Sequence, residues 1–145
     1  MRFLGNIEAK TDAKGRAFLP SSFRKVLQSA SEERLVIRKD VFATCLVIYP
    51  GSVWDSIVDS MRERLSRWDP VERQTFRQFV ADVEEIALDS NGRILIPQRL
   101  RTLAGIGTDI RFIGLDDTIE VWAKEGSETF MDADEFAKRC SELMS

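Results

Sequence analysis

Histidine is absent from this 145-residue chain, tyrosine occurs once, cysteine twice and proline four times. The missing imidazole removes the commonest general base, a usual zinc ligand and the base of most nucleophilic triads. No Gly-x-Gly-x-x-Gly or P-loop pattern stands ready to hold phosphates. No enzymatic activity, metal or cofactor is therefore expected. A pair such as Glu84 and Glu85 is a poor substitute, because adjacent strand residues point to opposite faces. Cys45, inside an apolar run, and Cys140, near the C-terminus, form no motif and read as buried or idle thiols.

Long hydrophobic runs are lacking too. No stretch approaches the roughly 20 apolar residues that span a bilayer. The start, Met1-Arg-Phe-Leu-Gly5, has no apolar run ending in a small-residue cleavage site. A cytoplasmic protein with no membrane association is expected. Its length suits one domain that needs no disulfide or metal staple.

What is present is a repeat. Asp12-Ala-Lys-Gly15-Arg16-Ala-Phe-Leu-Pro20 is echoed by Asp89-Ser-Asn-Gly92-Arg93-Ile-Leu-Ile-Pro97, and every matched position is separated by 77 residues. The same offset places Glu8 opposite Glu85, Phe23 opposite Leu100 and Arg24 opposite Arg101. Two copies of one small unit imply an internal pseudo-dimer with a shared core, since neither copy alone can bury its apolar face.

Each copy reads as an extended segment running into Asp-x-x-Gly. That order suits a type I turn in which glycine takes positive φ and forms a bulge, while the aspartate accepts hydrogen bonds from the turn amides. A short strand follows, at 17–19 and 94–96, with little alternation, so burial on both sides is expected. Pro20 and Pro97 end these strands, because proline has no amide hydrogen for the ladder. A short helix comes next, with Phe23, Val26 and Leu27, or Leu100, Leu103 and Ala104, on one face and Gly105 as a stop. Further strands are expected at 35–38, 45–49, 110–113 and 119–122.

The halves are repeat one, about 5–50, and repeat two, about 82–124, with a helical insert at about 52–81 between them. In the insert, Trp54, Ile57, Val58, Met61, Leu65 and Trp68 form a stripe at helical spacing, suited to packing in the core or at an interface. Asp69, Pro70 and Glu72 mark the start of a second helix whose apolar face is Phe76, Phe79 and Val80. An amphipathic, acidic helix at about 133–143 closes the chain. No flexible linker divides the halves, which favours one composite domain over 1–145.

These two motifs, joined by Asp69-Pro-Val-Glu-Arg73, resemble the MraZ family of the AbrB/SpoVT-like DNA-binding superfamily, and the likeness covers essentially the whole chain. The resemblance implies a mainly β fold with helices (α+β), a pseudo-two-fold swapped-hairpin β-barrel of the AbrB/MazE/MraZ type built from two intrachain repeats. It also implies a ring-shaped homo-oligomer at the nucleoid. Such a regulator, commonly a repressor, binds short direct repeats in double-stranded DNA upstream of its own operon, the division and cell-wall gene cluster. Family members often carry arginine between Phe and Gly near the start; Leu4 stands there here, and Arg2 lies earlier. A non-enzymatic interaction module of antitoxin-like type is the alternative, though such proteins usually carry one copy and a disordered tail.

Net charge is −3, yet phosphate binding answers to the local field. Lys10, Lys14, Arg16, Arg24 and Lys25 cluster around the first copy with only Asp12 opposed. They are the expected DNA contacts, with Lys14 at the tip and Arg16 behind it, reaching guanine edges or phosphate through a planar fork. Asp12, Gly15, Pro20, Asp89, Gly92, Arg93 and Pro97 are expected to shape the motif. Copy two has Asn91 at its tip and is assigned chiefly to structure. Arg16 can also pair with Asp12 and brace the hairpin, as Arg93 can with Asp89, and bracing is compatible with contact.

Overall fold

A computed structural model describes every residue except Ser127. Among these residues eight strands and five helices follow in the order β1 (Asn6–Lys10), β2 (Arg16–Phe18), α1 (Ser21–Ser29), β3 (Leu35–Lys39), β4 (Leu46–Pro50), α2 (Gly51–Arg64), α3 (Pro70–Ala81), β5 (Glu84–Ile86), β6 (Arg93–Leu95), α4 (Gln98–Leu103), β7 (Asp109–Leu115), β8 (Thr118–Ala123) and α5 (Ala133–Met144). The two repeats thus contribute the same β-β-α-β-β series, and the result is a mixed α+β fold. No helix among the described residues is long and apolar enough to cross a membrane.

Six strands form one antiparallel sheet in the order β1-β7-β8-β4-β3-β5, and β2 pairs with β6 in a separate two-stranded ribbon. The pairing is reciprocal between repeats. β1 of the first repeat lies on β7 of the second, with Glu8 opposite Arg111, and β5 of the second lies on β3 of the first, with Glu85 opposite Val36. β4 and β8 meet at the centre. Neither sheet closes on itself, so the expected barrel is not a continuous hydrogen-bonded cylinder. The cause lies in the turns: Asp12 and Asp89 amides bond within their own turns, to Arg16 and Arg93 carbonyls, and the strands beyond pair with each other.

The core draws on both repeats. Phe3, Leu19, Phe23, Leu46, Ile94, Leu100, Phe112 and Val121 belong to one buried cluster, so each repeat covers apolar surface that the other exposes. β2 and β6 differ from expectation. Ala17 and Leu19, and Ile94 and Ile96, are buried, whereas Phe18 and Leu95 are 58% and 53% exposed. The strands therefore alternate, because only one face of the ribbon meets the core.

Helix ends follow the sequence closely. Pro20 and Pro97 precede α1 and α4 in extended conformation. Gly105 (φ +63) ends α4, with the Ile106 amide bonded to the Arg101 carbonyl at 2.8 Å. α1 ends the same way with Ser31 (φ +52) in the glycine position. Asp69 caps α3 by accepting from the Val71 and Glu72 amides at 2.9 and 3.1 Å.

The insert packs through Trp54, which is buried, stacked on Phe79 at 5.2 Å and edge-on to Tyr49 at 5.2 Å. Buried Arg38 lies 4.4 Å from the Phe79 ring centre and donates to its carbonyl at 2.7 Å. The expected stripe does not reach Trp68, which is 92% exposed beyond the end of α2. α2 ends at Leu65, which is extended, and Asp69, extended before Pro70, caps α3.

Candidate nucleic-acid interface

The motif Asp-x-x-Gly-Arg builds the same turn twice. Asp12 Oδ1 accepts from the Lys14 and Arg16 amides at 3.0 and 2.8 Å, and its Oδ2 accepts from Arg16 Nε at 2.7 Å. Asp89 does the same for Asn91 and Arg93 amides, both at 2.9 Å, and for Arg93 Nε at 2.8 Å. The Gly15 and Gly92 amides close the turns onto the Asp12 and Asp89 carbonyls, both at 3.0 Å, with φ of +89 and +83. Such angles suit glycine and are strained for any residue with a Cβ.

Hydrogen bonding to the charged form favours it. The Arg16 amide, then its guanidinium and the Lys14 amide, outweigh partial desolvation and hold the Asp12 carboxyl down at about 2. The Arg93 amide, with its guanidinium and the Asn91 amide, lowers Asp89 likewise. Both carboxylates are charged at neutral pH, and each fixes the direction of its arginine.

Register then sets both arginines on one surface. Arg16 lies opposite Leu95, Ala17 opposite Ile94 and Phe18 opposite Arg93. The ribbon is extended at both ends, by the Leu19 amide on the Gly92 carbonyl at 3.0 Å and the Ile96 amide on the Gly15 carbonyl at 2.9 Å. Side chains alternate, so Arg16, Phe18, Arg93 and Leu95 share the outward face. A pseudo-two-fold relates the halves of that face, and the Arg93 guanidinium sits 5.9 Å from the Phe18 ring centre.

A second pair of arginines holds the turns from behind. The position a Cβ would take at Gly15 is filled by the Arg101 guanidinium, and that at Gly92 by Arg24. Each arginine thus reaches from its own repeat onto the other repeat's turn. Arg101 Nε donates to the Ile96 carbonyl at 3.0 Å, whereas Arg24 Nε is buried with no hydrogen-bond partner among the described residues.

Lys10, Arg16 and Arg24 meet at one cleft of about 700 Å³ on the side of the ribbon, together with Arg93 and the carboxylates of Glu8 and Asp12. Lys10 pairs with Asp109 at 3.5 Å. Lys14 is exposed at its turn tip and outside that cleft. Lys25, exposed on α1, lies beside a separate hollow with Met1 and Arg2. Arg2 pairs with Asp116 at 2.6 Å, and Leu4 is exposed. Pro20 and Pro97 take up the ribbon ends before α1 and α4. Sequence reasoning missed Arg101 as a brace and Phe18 and Leu95 as surface residues. The Arg24–Arg101 match at the repeat offset was the available signal for the first.

A family model described as "MraZ protein, putative antitoxin-like" matches residues 2–78 and again residues 79–141, one match for each half. The chain belongs to the MraZ family. It is 54% identical to the "Transcriptional regulator MraZ" of Bacteroides fragilis, over 99% of this chain and 92% of that protein. Proteins of the same name from Bacteroides thetaiotaomicron and Phocaeicola vulgatus are 55% and 56% identical, over 100% and 99% of this chain and 94% of each of them. Within the MraZ frame, the family boundary at 78–79 falls in α3, before the second extended segment at β5.

Proposed function

We propose that this MraZ-family chain is a sequence-specific, DNA-binding transcriptional regulator. It acts as a repressor on short direct repeats upstream of its own operon, the division and cell-wall gene cluster, as a ring-shaped homo-oligomer at the nucleoid. The two repeats act together as one composite domain over 1–145. The observation that carries the reading is the outward face of the β2–β6 ribbon, which two carboxylate-oriented arginines share, diagonal to each other across the pair. A two-stranded antiparallel ribbon fits a major groove, and a pre-oriented guanidinium reaches guanine O6 and N7 or a phosphate at little entropic cost. The relatives, named as transcriptional regulators, point the same way.

In this reading Arg16 contacts the bases or their phosphates, with Lys14, Lys10, Arg24 and Lys25 adding backbone attraction. Arg93 shares the face of Arg16, so it joins the contact surface as well as bracing its turn. Arg24 acts mainly through the Gly92 turn it covers. A single copy offers few cations, so several copies on several repeats supply avidity of about 10²–10⁴-fold.

Fluorescence anisotropy with DNA from upstream of the protein's own gene tests this. Arg16→Ala is expected to weaken binding by about 5- to 150-fold, corresponding to about 1–3 kcal/mol for a good base contact. Superimposable curves for wild type and variant would remove Arg16 from the interface. A wild-type protein that ignores this DNA at modest salt would leave the antitoxin-like interaction module as the better description.

A further inference from the structure

α5 and the α2–α3 groove are unmatched surfaces of the same chain. α5 is properly started, Asp132 accepting from the Glu135 amide at 2.9 Å, yet none of its residues is buried. Phe136, Cys140, Leu143 and Met144 follow one another at i, i+4, i+7 and i+8, and Phe136, Leu143 and Met144 are 59%, 87% and 84% exposed. A helix of this length is marginal in water unless its apolar face is covered.

On the insert, α2 and α3 leave an apolar groove of about 690 Å³ floored by Val53, Ile57, Met61, Leu65 and Phe76. Leu65 and Phe76 also line an adjoining hollow of about 600 Å³, bordered by Arg62, Arg67, Arg73 and Arg77. Among the described residues Arg67, Arg73 and Arg77 have no carboxylate within ion-pair distance, and Asp132 and Asp134 at the start of α5 have no cation within it. The groove is thus apolar with a basic end, and the helix is apolar with an acidic start.

We propose that α5 of one copy docks in the α2–α3 groove of a second copy, its Asp132–Asp134 end toward Arg67, Arg73 and Arg77. This rests on the homo-oligomer part of the proposed function and gives it a contact. Helix-in-groove burial supplies the attraction, and the charges set the direction. The two surfaces differ, so the contact propagates from copy to copy unless two chains exchange helices reciprocally.

Cys140 lies on the apolar face of α5, and Ser60 borders the groove, which permits a direct test. Ser60→Cys protein, oxidised at native concentration, is expected to form thiol-sensitive species of two or more chains. These should vanish when Cys140→Ser is added. Cys45 is fully buried and stays out of the reaction. A ladder means propagation and a dimer alone means exchange; both support the contact. No bridge, or a bridge within single chains, overturns it. Light scattering on Phe136→Glu should show self-association weakened about tenfold or more, as for an apolar anchor at an interface centre. Wild-type protein that is monomeric throughout would sink the homo-oligomer reading itself, whereas an unbridged wild-type oligomer would sink only the α5 contact. DNA binding by Phe136→Glu to a single repeat should be unchanged.

Discussion

The two turns of this chain share a backbone and differ at the tip. In both, aspartate accepts two amides and a guanidinium, glycine takes positive φ, and an arginine from the opposite repeat lies over it. Lys14 occupies the first tip and Asn91 the second. Everything the backbone requires is duplicated, and the two exposed positions between aspartate and glycine, Ala13 or Ser90 and then Lys14 or Asn91, have diverged. The comparison separates residues that make the hairpin from residues free to serve a partner.

If the turns are structurally equal, they should fail equally. Gly15→Ala and Gly92→Ala each force a Cβ into a positive-φ position already filled by a guanidinium. Each should cost about 1–3 kcal/mol in urea unfolding, the usual range for a strained backbone position. Unequal losses would show that one brace is stronger. Arg101 also bonds the Ile96 carbonyl while Arg24 Nε has no partner, so any imbalance should fall on Gly15, whose replacement disturbs the better-bonded arginine.

Much of this was legible beforehand. The turn chemistry, both prolines, the Asp69 cap and the Gly105 stop are local rules, and each holds in the structure. Two features were not legible because they depend on distant pairing. Burial of β2 and β6 on both sides was inferred from apolar runs, but a run of three cannot tell whether a second layer covers it, and Phe18 and Leu95 face outward. The place of Arg93 on the same face as Arg16 follows only from the β2–β6 register, in which Phe18 meets Arg93 and Arg16 meets Leu95. Assigning copy two chiefly to structure rests on Asn91 at its tip, and the face that Arg93 shares with Arg16 is visible only in the register. Trp68 misled for a local reason, since helical spacing continues past Leu65, where α2 ends.

The tips themselves should show a smaller effect, visible in DNA affinity and absent from stability. Lys14→Asn is expected to weaken binding a few-fold at low salt and to lower the salt dependence by about one counterion. Asn91→Lys should do the reverse. Titrating each variant at several salt concentrations checks both signs. An Asn91→Lys protein indistinguishable from wild type would mean that the second tip stays away from DNA while the arginine behind it can still make contact.

The smallest difference concerns acid. Asp12 is held at about 2 against an ordinary value of 3.8, and Asp89 is lowered by the same kind of bonds. A carboxyl with a depressed folded-state pKa binds its proton more readily when unfolded. The stabilisation is therefore complete above about pH 4 and is lost as pH falls toward 2. Asp12→Asn keeps an acceptor oxygen for the turn amides but has no charge to lose. Relative to wild type, its melting temperature should be lower at pH 7 and should fall less between pH 4 and pH 2. Asp89→Asn should flatten that limb as well, because its carboxylate bonds the same three groups in its own turn. Both carboxylates lie at the surface, where solvent and salt screen them, so the changes should be slight and should shrink further in high salt. A flattened limb for one variant only would show that the duplicated turns are not electrostatic equals, and would place their divergence deeper than Lys14 and Asn91.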